Sequence, residues 1–283
     1  MSKVVVLTDS TASLPADLLV RYSIFTIPLQ VIWGEESYRD GVDIQPSEFY
    51  ERLKTAKVMP STSQPSPQAF VDIYKRLLDE GHDIISIHIS AKLSGTVDSA
   101  VQAKAMLEVE NIAIIDSETT SIAMGYPVIE VARAAKKGAS LQECKELAER
   151  LVKNTGVFFV VNTLEFLHRG GRIGGASAFL GTMLDLKPIL TLKDGKVDAV
   201  ERVRNMDKAI DRMLLLLEKD LAGCSKPQIS SLHANTPELA EKLLKRACER
   251  FGADDSSAFV TDISPVLGTH VGPGCVGIAY LKN

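Results

Sequence analysis

Short apolar runs alternate with amphipathic segments over roughly the first 160 residues, and this alternation predicts the fold class. Five runs rich in β-branched residues are predicted strands: VVVLTD, IPLQVIW, IISIHIS, IAIIDS and VFFVVN. Apolar residues recur at helical spacing near 47–54, 67–80, 96–108 and 140–154, the last with Ser140 as its predicted N-cap. Near-continuous apolar strands separated by helices are typical of a largely parallel sheet with helices on both faces.

The pattern changes after about residue 160. Asp194-Gly195 lies between two alternating runs, which is the strongest short-range signal for a β-hairpin. Helices are predicted over 208–222 and 237–251, and strands at QISSLHA, AFVTDI and GCVGIAY. We therefore predict an α/β protein of two domains. Residues 1–160 would form the largely parallel sheet, and residues 161–283 a mixed α/β domain.

Composition and charge exclude several classes of protein. The chain is 45% apolar and 24% charged with a formal charge of −4, and its basic residues are interspersed with acidic ones, so no nucleic-acid partner is predicted. The N-terminal apolar run ends at Asp9, too early for a signal peptide, and a cytoplasmic protein is expected. The four cysteines form no C-x-x-C pair and the five histidines lack zinc-site spacing. We expect reduced thiols and no metal site.

Four hydroxyl-rich stretches are the candidates for a binding site: TDSTASL, PSTSQPS, KLSGTVDSA and DSETTSIAMG. Three of them follow predicted strands, and the carboxyl ends of parallel strands are where open α/β sheets bind ligands. Helix N-capping explains any one stretch equally well, but the set favours a site. Backbone amides and neutral hydroxyls suit an anion. The glycine patterns of nucleotide-binding loops are absent from the sequence, so no nucleotide is predicted.

Two further loops carry basic residues. LEFLHRGGRIGGAS places Arg169 and Arg172 around two glycines, and an Arg fork matches a carboxylate, although a solvent-facing Arg at a helix end explains the pattern equally well. GTHVGPGCVG places His270 in a Gly-rich loop, where it would point inward or serve as a structural hydrogen-bonding residue.

Two alternatives to a binding protein stay open at this point. A serine esterase or thioesterase would use Ser94 as nucleophile and His270 as base, although the G-x-S-x-G elbow is absent and no carboxylate that would orient the histidine is evident. An anion-binding regulatory module would explain the hydroxyl-rich loops and nothing more.

Taken together, these stretches resemble the DegV family of bacterial fatty-acid-binding proteins. The similarity runs from end to end through six ordered motifs: TDSTASLP, PSTSQPSP, ISAKLSGTVDSA, DSETTSIAMG, LEFLHRGGRIGG and THVGPGCVGIAY. One departure is Pro127, which stands where the family often has the second glycine of a G-x-G segment. A proline in the first turn of a helix is tolerated, so we interpret the substitution as local.

The resemblance implies a two-domain α/β fold with a long-chain fatty acid in a buried tunnel and its carboxylate at the strand-end loops. Carried over by position, Thr62 and Ser94 would hydrogen-bond the carboxylate, and the second domain would contribute Arg172 and His270 as nearby polar and cationic groups. The complete set of predicted ligand-binding residues is Thr62, Ser63, Ser94, Gly95, Arg172 and His270.

The resemblance also implies a role and a partner. The protein would present the bound acid to a separate ATP-dependent fatty acid kinase that forms an acyl phosphate for phospholipid synthesis, with a transient contact to the membrane or to an acyltransferase. It would be a non-catalytic carrier with no cofactor besides its fatty acid ligand. In the basic segment ERVRNMDKA, Arg204 is the candidate residue for docking the kinase, although an ordinary solvated strand end is the simpler interpretation.

Overall fold

The computed structural model describes residues 3–181, 186–253 and 258–282. Its strands in chain order are β1 (Lys3–Asp9), β2 (Ile24–Ile27), β3 (Gln30–Trp33), β4 (Glu36–Arg39), β5 (Ser61–Ser63), β6 (His82–His88), β7 (Ile112–Asp116), β8 (Thr155–Val160), β9 (Lys187–Lys193), β10 (Lys196–Val203), β11 (Gln228–His233), β12 (Val260–Asp262) and β13 (Val276–Leu281). Its α-helices are α1 (Ala16–Tyr22), α2 (Pro46–Lys54), α3 (Pro67–Asp79), α4 (Thr96–Leu107), α5 (Ser121–Lys136), α6 (Leu141–Val152), α7 (Glu165–Arg169), α8 (Met206–Asp220), α9 (Pro237–Phe251) and α10 (Pro265–Val271).

The first large sheet has four parallel strands in the order β2-β1-β6-β7, so a parallel sheet is confirmed. Two of the five strands predicted for it lie elsewhere. The run IPLQVIW is broken at Pro28 into the end of β2 and the separate strand β3, which belongs to a small antiparallel sheet, and the run VFFVVN forms β8, which pairs antiparallel in the six-stranded sheet.

Both faces of the parallel sheet are covered, and alternate residues of β1 enter different cores. Val5 and Leu7 pack with α3 and α4, whereas Val4 and Val6 belong to the core on the opposite face, which α5 covers. Burial on both faces explains why these strands are continuously apolar in the sequence.

The second large sheet has six strands in the order β10-β9-β8-β13-β11-β12. All of its pairings are antiparallel except that of β11 with β12, so the predicted mixed sheet is confirmed. Asp194 and Gly195 form the β9–β10 turn with φ of 49° and 77°, the left-handed pair that a two-residue hairpin requires. Helices α8 and α9 pack on one face, and the other face turns toward the first sheet.

A third, small antiparallel sheet has the order β4-β3-β5. Its central strand buries Val31 and Trp33 in the same core as residues of both large sheets. Strands of the parallel sheet fall within residues 3–116 and those of the six-stranded sheet within 155–281. The division of the chain into domains at residue 160 stays a prediction.

Two further local expectations were wrong. Pro127 is the seventh residue of α5 and lies beyond its first turn, because the helix begins as early as Ser121. His270 lies in the last turn of α10 and not in a Gly-rich loop, because Ser264 caps a helix that Pro265 begins, and Gly272 follows its end. Within the described residues, no helix is both long and apolar enough to cross a membrane.

Candidate functional site

A cavity lies between the carboxyl ends of β6 and β7 and the inner face of the six-stranded sheet. Most of its lining is apolar, with contributions from the loop after β6, from β8, β9 and β11, and from α10: Ile89, Val157, Phe159, Leu192, Leu232 and Leu267. The position agrees with the rule that open α/β sheets bind ligands beyond their strand ends.

The polar lining of this cavity contains most of the residues predicted from the sequence. It consists of Thr62, Ser63, Gln64, Ser94, Thr120, Ser121, Arg172 and His270. Gly95 is absent from the lining. A Cβ at that position would lie 2.8 Å from Gln64 Nε2, so the glycine permits Gln64 to approach the start of α4. Arg204 lies elsewhere, exposed at the bend between β10 and α8.

Thr62 and His270 form the centre of the polar cluster. Thr62 is held in β5 by pairing with Val31 of β3, and its Oγ1 lies 2.8 Å from His270 Nε2. Burial, with a smaller contribution from the Arg172 guanidinium, lowers the pKa of His270 to about 4. The imidazole is therefore neutral at physiological pH.

His270 is held in place from two sides. Gly170 lies against the ring so closely that a Cβ there would overlap Nδ1, and this nitrogen is buried without a partner among the described residues. At the other end of α10, Asp40 accepts hydrogen bonds from the Val266 amide and from Ser10 Oγ. The position of His270 thus depends on a glycine and on a buried carboxyl at the start of its helix.

Arg172 joins two loops of the site. Its Nε donates to the Leu93 carbonyl at 3.0 Å and its Nη1 to the Gly170 carbonyl at 2.6 Å. Two of its donor atoms are thus used by backbone carbonyls, and the residue itself lines the cavity. Arg169 instead pairs with Glu165 on the surface. Of the two arginines of the motif, Arg172 therefore lines the cavity and Arg169 lies on the surface.

Ser94 lies in the tight loop between β6 and α4. Its amide donates to the Ser90 carbonyl, and its hydroxyl lies 2.8 Å from Thr96 Oγ1. The loop is also tied to the second sheet, because Ser90 Oγ donates to the Gly195 carbonyl at 2.8 Å. The β9–β10 turn thus closes against the loop that carries Ser94.

The geometry does not favour the esterase alternative. Among the described hydrogen bonds, Ser94 Oγ pairs with Thr96 and His270 Nε2 with Thr62, so nucleophile and base are not joined. His270 Nδ1 has no carboxylate partner within the described residues. The two features that define an activated serine, a base and an orienting acid, do not converge on Ser94.

The TDSTASL stretch has a structural role that the sequence did not reveal. Asp9 lies 3.1 Å from His88 Nδ1, and His88 Nε2 lies 2.6 Å from Ser86 Oγ. All three side chains are fully buried, and none lines the cavity. The three side chains are linked in the order of a Ser-His-Asp triad, but none of them is exposed to solvent. Asp9 also accepts from the Ile89 amide, which fixes the end of β6 next to the site.

Among the polar lining residues, Gln64, Thr120 and Ser121 were not predicted from the sequence, and the last two are adjacent in the chain. Thr120 and Ser121 were included in the hydroxyl-rich stretch DSETTSIAMG but were not chosen individually. The signal that would have identified them is the start of α5, since a helix beginning there directs residues 120 and 121 toward the strand-end cavity.

Comparison with known proteins settles the family. The model of the DegV family, a family described as uncharacterised, matches residues 3–283. The chain belongs to the DegV family. A DegV domain-containing protein of Halalkalibacterium halodurans is 36% identical over 281 residues and each chain is covered to 99%.

Solved structures of other DegV proteins share this fold. The fatty-acid-binding DegV family protein of Thermus thermophilus is 36% identical with a TM-score of 0.94, over 99% of this chain and 100% of that one. DegV of Bacillus subtilis, described as a fatty acid binding protein, is 33% identical with a TM-score of 0.90 over the whole of both chains. Both the mixed α/β architecture and the resemblance inferred from the six motifs are thereby confirmed.

Proposed function

We propose that this DegV protein binds a long-chain fatty acid in the cavity, with the carboxylate at Thr62 and Ser94 and the tail along the apolar lining. The observation that carries the proposal is one cavity whose lining combines hydroxyl, Arg and His side chains with a larger set of apolar residues. It is supported by the description of the Thermus thermophilus and Bacillus subtilis relatives as fatty acid binding proteins.

The two parts of the cavity would contribute differently. Burying roughly fourteen methylenes at about 0.8 kcal/mol each gives a gross gain of about 11 kcal/mol, whereas each hydrogen bond to the carboxylate nets about 1.5–3 kcal/mol. The tail therefore supplies affinity. Because a fatty acid in a bilayer already has an apolar environment, the head-group contacts and the shape of the cavity would decide which acid is retained.

Native and denaturing mass spectrometry of the protein purified from bacteria tests this proposal. One equivalent of a long-chain fatty acid is expected in the wild-type protein and is expected to be lost in the Thr62→Ala, Ser94→Ala double variant. A protein that is empty and fails to take up added fatty acid would contradict it. Circular dichroism of the double variant controls for folding.

We further propose that the protein is a carrier that presents the carboxylate to a separate ATP-dependent fatty acid kinase, which forms an acyl phosphate for phospholipid synthesis. Thr62 and Ser94 are half-buried, whereas Phe159 and Leu232 on the tail wall are almost fully buried, so the head group would lie nearer the surface. Hydroxyl donors hold a carboxylate without covalent attack and leave an oxygen available for phosphorylation.

Kinase turnover with the loaded protein tests the carrier role. The Thr62→Ala, Ser94→Ala variant should impair phosphorylation, and Arg204→Glu should impair it without changing fatty acid affinity if Arg204 docks the kinase. Unchanged turnover with Arg204→Glu would remove that residue from the docking surface. A fluorophosphonate probe separates the carrier from the esterase, because labelling of Ser94 is expected only of an activated serine.

A further inference from the structure

Two hydroxyl groups inside the cavity have no role in the head-group site proposed above. Thr120 and Ser121 line the cavity, and their hydroxyl oxygens are shielded from solvent and have no hydrogen-bond partner among the described residues. Ser121 is 5% exposed, whereas Thr62 and Ser94 are half-buried. Of the unpartnered pair, Ser121 is therefore more deeply buried than the head-group residues, whereas Thr120 is half-buried as they are.

The same place is the N-terminus of a long helix. Helix α5 has 16 residues and begins at Ser121, and the side chain of its N-cap residue, Thr120, makes no hydrogen bond to the first N–H groups. Free amides and the positive end of the helix dipole favour an acceptor oxygen at this position. Hydroxyls and amides therefore converge on the same side of the cavity.

Such groups are rarely left unpaired in a protein interior. Nearly all buried polar groups have a hydrogen-bond partner, because burying one without a partner costs free energy. A plain methylene chain running past Thr120 and Ser121 would leave both hydroxyls unpaired. A chain that carries an oxygen at this depth would satisfy them.

We propose that Thr120, Ser121 and the first amides of α5 bind an oxygen substituent on the hydrocarbon chain of the ligand. The cavity then prefers a hydroxy or oxo fatty acid over the unsubstituted acid of equal length. This inference rests on the proposed function, because it concerns the chain of the same ligand whose carboxylate is bound at Thr62 and Ser94.

A neutral oxygen suits this position better than the carboxylate itself. Among the described residues that line the cavity, Arg172 is the only Lys or Arg, and it belongs to the head-group cluster through Leu93 and Gly170. A carboxylate beside Ser121 would lose its hydration without gaining a cationic partner, which is costly. A hydroxyl or keto oxygen needs only the hydrogen bonds that the two side chains and the helix start provide.

Calorimetric titration with a panel of monohydroxyoctadecanoic acids tests the proposal, with the hydroxyl moved along the chain and octadecanoic acid as reference. In the delipidated wild-type protein, octadecanoic acid binds. Isomers with the hydroxyl at one position, or at a few adjacent positions, bind about two- to twelve-fold tighter, because one net hydrogen bond gives a gain of this size. In the Thr120→Val, Ser121→Ala variant this advantage is lost while octadecanoic acid still binds.

Thr119→Val is the matched control. Thr119 Oγ1 is also buried and unpartnered among the described residues, but Thr119 does not line the cavity. This variant removes the same kind of group from the next position along the chain, and it should keep the preference for the favoured isomer.

Three outcomes would overturn the proposal. The first is equal affinity of the wild-type protein for every positional isomer and for octadecanoic acid. The second is an advantage that survives in the Thr120→Val, Ser121→Ala variant. The third is a variant that no longer distinguishes octadecanoic acid from octadecanol, which would place the carboxylate at these hydroxyls. Failure of the proposed function is distinguishable, because then octadecanoic acid would not bind the wild-type protein at all.

Discussion

The hydroxyl oxygen of Thr62 lies 2.8 Å from Nε2 of His270, across 208 residues of sequence. Because His270 is neutral, only one of its ring nitrogens carries a proton. Nδ1 is buried with no acceptor among the described residues, so a proton there would be unpaired. A proton on Nε2 instead donates to Thr62, and the hydroxyl proton of Thr62 is then free to donate to a carboxylate in the cavity. His270 thus acts as a positioning residue for Thr62.

Replacing Thr62 tests this arrangement. Thr62→Val removes the donor while keeping the shape, and we expect fatty acid affinity to fall about 10- to 150-fold, the range for a hydrogen bond to a charged group. Thr62→Ser keeps the hydroxyl and should bind within a few-fold of the wild type. Titration calorimetry of both variants is the measurement. Equal binding by Thr62→Val and Thr62→Ser would show that the hydroxyl does not bind the carboxylate.

The pH dependence of stability follows from the lowered pKa of His270. The unfolded chain takes up a proton near pH 6.5, whereas the folded state resists it until about pH 4, so stability falls as the pH drops through this interval. The resulting decrease in the free energy of unfolding is at most about 3 kcal/mol. Urea unfolding of ligand-free protein between pH 7 and pH 4 should show a smaller loss in His270→Gln than in the wild type. Parallel curves for the two proteins would contradict the assignment.

Asp40 should change the stability of the fold with pH in the direction opposite to that of His270. Burial raises its pKa to about 6 despite the hydrogen bonds from Ser10, Ser264 and the Val266 amide, so the folded state holds the proton where the unfolded chain has released it. Its contribution to stability therefore falls as the pH rises from about 4 to about 6. Relative to the wild type, Asp40→Asn should become more stable by up to about 3 kcal/mol over this interval. A constant difference in urea unfolding would exclude titration of Asp40.

Gly170 should matter for ligand binding through its contact with His270. An alanine at this position has a Cβ that overlaps Nδ1 of His270. Gly170→Ala therefore displaces the ring and weakens its hydrogen bond to Thr62. We expect reduced fatty acid affinity in Gly170→Ala, and little further reduction when the substitution is made in a His270→Ala background. A double-mutant cycle measures this coupling, and additive effects would mean that Gly170 acts by another route.

The buried Asp9 network should be structural only. Removing the Asp9 carboxyl group leaves the amides of Thr11 and Ile89 and the ring of His88 without a buried acceptor. Asp9→Ala should therefore lower the free energy of unfolding, measured with urea, by about 1–3 kcal/mol for each donor left unpaired. Ser86 should not react with a fluorophosphonate in the native protein. Labelling of Ser86 would show that the network is accessible and reactive.

Strong local patterns predicted most of the fold. The Asp194-Gly195 hairpin and the Ser140 cap with its Glu143 partner are specified by neighbouring residues, and both are present. Helix α5 was missed because it is buried on nearly all sides and contains Gly125 and Pro127, so it has neither an amphipathic period nor the expected composition.

Only part of the site could be predicted from the sequence, because its geometry depends on contacts between distant residues. The motifs identified which loops carry polar groups, and Thr62, Ser94, Arg172 and His270 do line one cavity. Sequence spacing does not show which of two arginines points inward or how close a glycine lies to an imidazole. Those properties arise from contacts between residues far apart in the chain.

The place of β13 in the six-stranded sheet has a consequence for folding kinetics. β13 lies between β8 and β11, and its pairing of Val276 with Val160 closes a loop of more than a hundred residues. Such closure is entropically costly and slow, and a chain that stops before Val276 would leave β8 and β11 without the strand that joins them. Since Val157 and Phe159 on β8 line the cavity together with Leu232 on β11, ligand binding competence should appear late in refolding, in a single step with completion of this sheet.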